Sequence, residues 1–349
     1  MSYKILPHSL GRVEVSPGLS STEAKELAAN KEVTVIQFSK PLAEKDFDNL
    51  AQYVFNKRND IQFRVYGHYS IECDLSFIKK FPTLKKFSAD CIIDSKNEDY
   101  ISSLKDVEDL HVGIFGLTSF DFLDGVNPNL RKLMIGNTFS KKPSIRTLSR
   151  FKNLQFLYNE GQTNGVEAIN DLISLEKIVL RSITVPNMDF ILGLKNLWSI
   201  DIKLGGTKNF SALKNFPGVK YLELWQINKL ADISFISEMP DLQNLFIQSL
   251  RNVEALPNFK NSHKLRRVSL ENLKGLKDIS SLKDAPALEE FIYAHAQNQS
   301  PKNLTAILEN ESIKQILIRF GSVNKNNSFD EIIKQSGKQI YTRHDFEYK

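Results

Sequence analysis

The sequence predicts an α/β repeat solenoid, with a parallel concave β-sheet on one side and short helices or 3₁₀ turns returning on the convex side. Three observations predict it. An apolar-x-x-apolar-x-apolar pattern recurs along the chain, as in Leu242, Leu245 and Ile247 or Leu265, Val268 and Leu270. A second apolar stretch follows each copy, as in Ile233, Ile236 and Met239 or Ile279 and Leu282. Proline stands two residues before the repeat's first apolar position at Pro82, Pro128, Pro217, Pro240 and Pro286.

The first apolar positions, taken as anchors, are Val33, Leu84, Val107, Leu130, Leu154, Leu175, Leu197, Val219, Leu242, Leu265, Leu288 and Ile313. One imperfect copy starts at Asp60 and carries Phe63 and Val65, and the mean spacing is about 23 residues. Apolar residues two apart lie on one face of a short strand, and stacking such strands in parallel buries that face continuously. The return stretch is too short for a long helix and suits a turn of 3₁₀ or α-helix. A proline before the anchor fixes φ where extended backbone begins and no ladder donor is yet required.

In chain order, residues 3 to 16 suit a hairpin, and Ser21 to Leu27 reads as a capped helix start. Val33 to Phe38 is the first repeat strand, and Glu44 to Asn56 a helix behind it. Near the other end, Lys302 to Glu309 and Ser328 to Gln335 read as helices and Gln339 to Thr342 as a last strand, whereas the polar stretch Ser322 to Ser328 reads as a mobile linker. This divides the chain into an N-terminal cap of hairpin plus helix (1–32), repeats (33–320) and a C-terminal cap of helix plus strand (321–349). Repeat arrays need such ends, because a terminal repeat has no neighbour to cover its apolar edge.

Over roughly residues 33 to 320 these copies resemble the leucine-rich repeat superfamily, closest to the short bacterial type of about 23 residues, whose return arm reads D-I-x-x-L-x-x-x-P-x-L. The resemblance implies a horseshoe with capped ends that binds other proteins. One departure stands out. The family's Asn or Cys position, eight after the anchor, holds Ile92, Phe115, Thr138, Gln162, Ile183, Gly205, Ile227, Leu250, Leu273, Ala296 and Gly321. The usual asparagine ladder is absent, so the turns leaving the strands need water or other backbone partners.

The composition excludes several function classes. With 46 Lys and Arg against 41 Asp and Glu, the net charge of +5 is too small to imply nucleic acid. The first residues lack the apolar core of a secretory signal and no run of about 18 apolar residues occurs, so the chain is expected to be cytoplasmic. Cys73 and Cys91 fit no metal spacing and are expected to be buried or partly buried thiols. The histidines show no HxH or HExxH pairing, and no cofactor or metal is expected. Cys73-Asp74 lies in a return arm and reads as structural, His111 as an exposed contact residue, and Gly205-Gly206 as a wide turn.

The positions two, four and six after each anchor should line the concave face and point to solvent. Among them Phe156, Tyr158, Arg181, Asp201, Tyr221, Glu223, Trp225 and Phe246 combine aromatic rings with charge, the composition of protein-interface hot spots. Basic positions such as Arg64, Lys132, Lys203 and Arg267 are balanced by Asp90, Asp109, Glu223 and Glu290, which favours a mixed-charge protein partner over nucleic acid. Strands stacked at about 4.8 Å give a face on the order of 60 Å long, enough to cup a small folded domain. The expected function is a non-enzymatic scaffold holding a folded protein on this face, in one form a bacterial immunity protein neutralising a toxin. The alternatives are an effector or regulatory adaptor whose repeats target a host or cellular enzyme, and an enzyme with an unrecognised pocket.

Overall fold

The computed structural model describes residues 1–140 and 143–349, in two compact units, Met1–Leu175 and Glu176–Lys349. The first opens with the hairpin β1 (Tyr3–Ile5) and β2 (Arg12–Val15), then α1 (Ser21–Ala29), β3 (Val35–Phe38) and α2 (Glu44–Leu50). It continues through β4 (Gln62–Tyr66), β5 (Cys73–Asp74), β6 (Lys86–Ile92), β7 (Ser95–Lys96), β8 (Asp109–Ile114), β9 (Lys132–Ile135) and β10 (Phe156–Glu160). The second contains β11 (Lys177–Arg181), β12 (Ser199–Lys203), β13 (Tyr221–Trp225), β14 (Asn244–Gln248), β15 (Arg267–Glu271) and β16 (Glu290–Ala294). It closes with α3 (Thr305–Glu309), β17 (Gln315–Ile318), α4 (Val323–Gln335) and β18 (Gln339–Ile340).

In each unit the repeat strands pair in sequence order and in parallel. In the first unit β1 pairs antiparallel with β2, which itself pairs in parallel with β3, and β5 and β7 form a separate two-stranded ladder behind the main sheet order. Strand residues alternate in burial as the anchors require. In β13, Leu222 and Leu224 are fully buried while Tyr221, Glu223 and Trp225 are half-buried on the other face, hereafter the inner face. The return arms are 3₁₀ turns, such as Ser234–Glu238 and Ser280–Asp284. The arm after β3 is longer: α2 runs into a π-helical turn at Ala51–Phe55 and buries Phe47, Val54 and Phe55 against Phe63, Phe77 and Phe81. Helix α1 carries a capping box, with the Ser20 hydroxyl accepting from the Glu23 N–H and Glu23 accepting from the Ser20 N–H.

Two local expectations fail for identifiable reasons. The stretch 322–328 is not a linker: α4 begins at Val323, because the Ser322 side chain caps it and Asn326 Oδ1 accepts the Phe320 N–H at 2.8 Å. Its polar residues form the solvent side of a helix whose Phe329 and Ile333 are fully buried. Cys91 is exposed, since a β-bulge after Ala89 puts it at φ 56 and turns it out of the sheet, while Cys73 is buried as expected.

The missing asparagine ladder is replaced by two devices used to different extents in the two units, since Cys91 of the first unit, also seven after its anchor, shares the left-handed backbone of the second. In the first, Gln162 Nε2 donates to Gly136 O at 2.9 Å and to Thr138 Oγ1 at 3.0 Å, a short side-chain ladder. In the second, the residue seven after the anchor adopts a left-handed backbone in repeat after repeat: Ser182, Leu204, Gln226, Ser249, Asn272 and His295 have φ between 51 and 55. For the first five of these, the N–H donates to the last strand carbonyl of the next repeat, Lys203, Trp225, Gln248, Glu271 and Ala294 respectively, at 2.7 to 3.1 Å. Backbone satisfies backbone, and no amide side chain is needed.

Candidate protein-binding face

Strand register sorts the inner face into rows. The strand-entry row of the second unit runs Lys177, Ser199, Tyr221, Asn244, Arg267, Glu290 and Gln315; the middle row runs Val179, Asp201, Glu223, Phe246, Ser269, Ile292 and Leu317. Lys203, Trp225 and Gln248 belong to the strand-exit row.

Of the eight residues singled out from the sequence, Phe156 and Tyr158 stand on β10 in the first unit, and Arg181, Asp201, Tyr221, Glu223, Trp225 and Phe246 on β11 to β14 in the second. All eight are half-buried, less open than the alternation alone suggests. The reason is mutual contact. Lys203 Nζ lies 3.0 Å from Glu223 Oε1 and 3.4 Å from Asp201 Oδ2, and 5.7 Å from the centre of the Trp225 ring. The Tyr221 hydroxyl donates to Glu223 Oε2 at 2.8 Å, and the tyrosine is held protonated by burial first and then by the Glu223 carboxylate. Burial, followed by the Glu223 charge, pushes the Asp201 carboxyl up to about 6, and its Oδ1 is buried without a hydrogen-bond partner. In the first unit Lys132 lies 5.7 Å above the Phe156 ring and the Tyr158 hydroxyl donates to Glu160 at 3.0 Å.

Much of the entry row of the second unit is closed to solvent, contrary to expectation, although Lys177 at its start is exposed and Tyr221 half-buried. Residues 341–349 leave β18 in extended form and cross it, so Ser199, Asn244, Arg267 and Glu290 are all less than 10 % exposed. Periodicity could not reveal this, because the covering segment belongs to no repeat.

The middle row of the first unit is polar: Glu14, Gln37, Arg64, Ser88 and His111 follow one another in register. Gln37 Nε2 donates to Glu14 at 2.7 Å, Arg64 donates to Gln37 Oε1 and Asp90 Oδ2 at 2.8 Å each, and Ser88 also donates to Asp90. Burial alone would raise the Asp90 carboxyl, but the hydrogen bonds from Arg64 and Ser88 outweigh it and hold the group below its ordinary range. His111 joins this network, with Nδ1 3.2 Å from Ser88 Oγ, rather than standing free as a contact residue. Next to it, His111, Gly113, Phe115, Met134, Gly136 and Tyr158 line a hollow of about 520 Å³.

A separate cleft of about 550 Å³ is lined by His68, Cys73, Asp74 and Phe77 among others. Burial, and then the neighbouring Asp74, pushes the Cys73 thiol up to about 12, so it stays protonated and unsuited to attack as a thiolate. Among the described residues no group of three or more His, Cys, Asp or Glu side chains could hold a metal ion, and no helix is long and apolar enough to cross a membrane.

No protein-family model and no curated protein matches the chain. Solved structures do. A leucine-rich repeat protein of Leptospira interrogans is similar at 16% identity and TM-score 0.56, over 97% of this chain and 92% of that one. TLR13, solved in a complex with ssRNA13, is similar at 14% identity and TM-score 0.52, over 88% of this chain but only 54% of that one. At such identities the likeness concerns fold alone, and it agrees with the parallel repeat strands, 3₁₀ return arms and 23-residue cadence seen here. The chain has the leucine-rich repeat fold.

Proposed function

We propose that this protein is a non-enzymatic scaffold that binds a folded protein partner through the inner face, with Asp201, Glu223, Trp225 and Phe246 of the second unit at the centre of contact. The observation that carries this reading is the patch on β12 to β14, where an aromatic pair sits half-buried beside a Lys203 ion-pair cluster. Such amphipathic, pre-ordered side chains lose little freedom on binding, the property that makes aromatic hot spots strong. Nucleic acid suits the face less well, despite the RNA in the TLR13 structure, because several of its basic groups are already paired: Arg64 with Asp90, Lys132 with Asp109, Lys203 with Glu223 and Arg267 with Glu290.

Affinity capture with wild type and with a Trp225→Ala/Phe246→Ala variant tests the reading, with circular dichroism confirming that both are folded. Loss of at least about tenfold in partner affinity is expected for the variant. A partner held equally by both proteins would place binding elsewhere. Within this function, neutralisation of a toxin domain is the finer form, and co-expression with a candidate toxin, read as growth rescue abolished by the same variant, tests it. A regulatory adaptor would instead leave the captured partner active.

A further inference from the structure

The segment 341–349 lies across the second unit's inner face as a bound peptide would. It does not join the sheet beyond the Tyr341 N–H, which donates to Ile316 O at 3.0 Å. From there it crosses the entry row backwards, from β17 towards β12. His344 Nε2 is 2.9 Å from Glu290 Oε1 and 3.0 Å from the Arg267 guanidinium. The Phe346 ring is covered by Arg266 at 4.6 Å and Arg267 at 4.9 Å. Tyr348 packs on Trp198 with ring centroids 5.1 Å apart, and its hydroxyl accepts from Asn244 at 3.4 Å.

Side chains 344, 346 and 348 thus meet the sheet at the two-residue spacing of an extended strand, Phe346 and Tyr348 half-buried and His344 exposed along with Asp345, Glu347 and Lys349. Main-chain groups are read as well. Arg266 donates to Glu347 O, Gln243 Nε2 donates to Lys349 O at 2.6 Å, and the Lys349 N–H donates back to Gln243 Oε1 at 2.9 Å. A reciprocal amide pair of this kind recognises extended backbone whatever its side chain. The site beneath is built and buried, while Phe346 and Tyr348 are only half-buried, so one side of the segment stays in solvent.

We propose that the entry row from Ser199 to Glu290, with Trp198, Gln243 and Arg266 beside it, is a docking site for an extended peptide with two aromatic residues two apart, and that segment 341–349 fills it in cis until a partner's peptide displaces it. This deepens the proposed function by naming the element of the partner that reaches the face, and it rests on that reading. An intramolecular occupant competes at the millimolar effective concentration typical of short tethers, so the face accepts only a partner that outbids it or arrives after its release.

The test uses the full chain, wild type and Phe346→Ala/Tyr348→Ala, and a fluorescein-labelled peptide of sequence 341–349 followed by anisotropy. The peptide is expected to bind the variant at least about tenfold more tightly than wild type, and a peptide with both aromatics replaced by Ala to lose that binding. Equal binding to both proteins, or none to a variant that melts like wild type, overturns the proposal. Should the variant not fold, a site-specific protease sequence inserted between Arg343 and His344 allows the segment to be cut after folding; labelled peptide is then expected to exchange in, and failure to exchange overturns the proposal. Light scattering showing that a second copy donates the segment would also overturn it. Partner capture by the Phe346→Ala/Tyr348→Ala variant separates the two readings: stronger capture than by wild type supports displacement of the segment, whereas a partner lost with Trp225→Ala/Phe246→Ala but held no better by this variant keeps the scaffold reading and overturns this one.

Discussion

The two units build one repeat in two ways. The first satisfies its strand-end turn with a side chain, Gln162 reaching Gly136 O and Thr138, and fills its middle row with the polar chain from Glu14 to His111. The second satisfies its turns with backbone, at the cost of a left-handed non-glycine residue in repeat after repeat, and uses its inner face to hold a pair of crowded acids and a peptide. An inward-facing polar group is tolerated wherever it finds a partner, so the same fold can spend its inner face on internal satisfaction or on contact.

The strongest way to break this comparison is Arg64→Ala. It strands the Asp90 charge, whose side chain is only 6% exposed, and should cost about 3–5 kcal/mol, read by urea denaturation. Hydrogen exchange should show the loss concentrated in β4 and β6 and spare β13. If β13 loses protection equally, the units do not differ in what holds them.

Next come two acids of opposite sign. Asp90 is held below its ordinary value, so its contribution to stability is present above the unfolded carboxyl pKa near 4 and is lost as pH falls through the lower folded value. Asp201 is raised to about 6, so stability falls as pH rises from about 4 to about 6 and stays lower above that. Asp201→Asn should therefore raise stability at pH 8 by about 1–2 kcal/mol and change little near pH 4, checked by thermal unfolding at the two values. A gain of equal size at both pH values would mean that ionisation of Asp201 is not the cause.

The smallest effects separate the two turn designs. Leu204 sits at φ 55, where a Cβ is strained, and Leu204→Gly should gain about 0.5 kcal/mol after the added unfolded-state entropy is subtracted. Gly161 sits at φ 76, where any Cβ is strained, and one would also push aside the Asn137 side-chain oxygen 2.4 Å away, so Gly161→Ala should cost about 1 kcal/mol or more. Differential scanning calorimetry on both variants checks the pair. Similar losses for both would show that the side chain of Leu204, not its backbone, matters.

Much of this was legible in the residues. The anchors Leu222 and Leu224, or Leu245 and Ile247, lie in the core where a two-residue period puts them, because a pleated strand has no other way to bury both. The helix from Val323 is not legible in the sequence because its polar run, taken alone, carries no apolar period; Phe329 and Ile333 supply one only together with the cap at Ser322. The eight candidate contact residues all lie on the inner face, but their half-burial follows from side-chain partners two residues along the strand, as Tyr221 with Glu223, and one repeat away, as Lys203 with Glu223, which apolar spacing does not disclose.

By itself the sequence determined the repeat, its cadence, the direction of each strand and the face each side chain takes, since these follow from local apolar periodicity repeated many times. Only the tertiary structure decided how the turns are satisfied without asparagine, which acids are crowded, and that residues 341–349 fold back over Trp198, Arg267 and Glu290. Those outcomes depend on groups far apart in sequence, such as Gln243 and Lys349, whose pairing is chosen by the shape and charge of an assembled surface rather than by any neighbour in the chain.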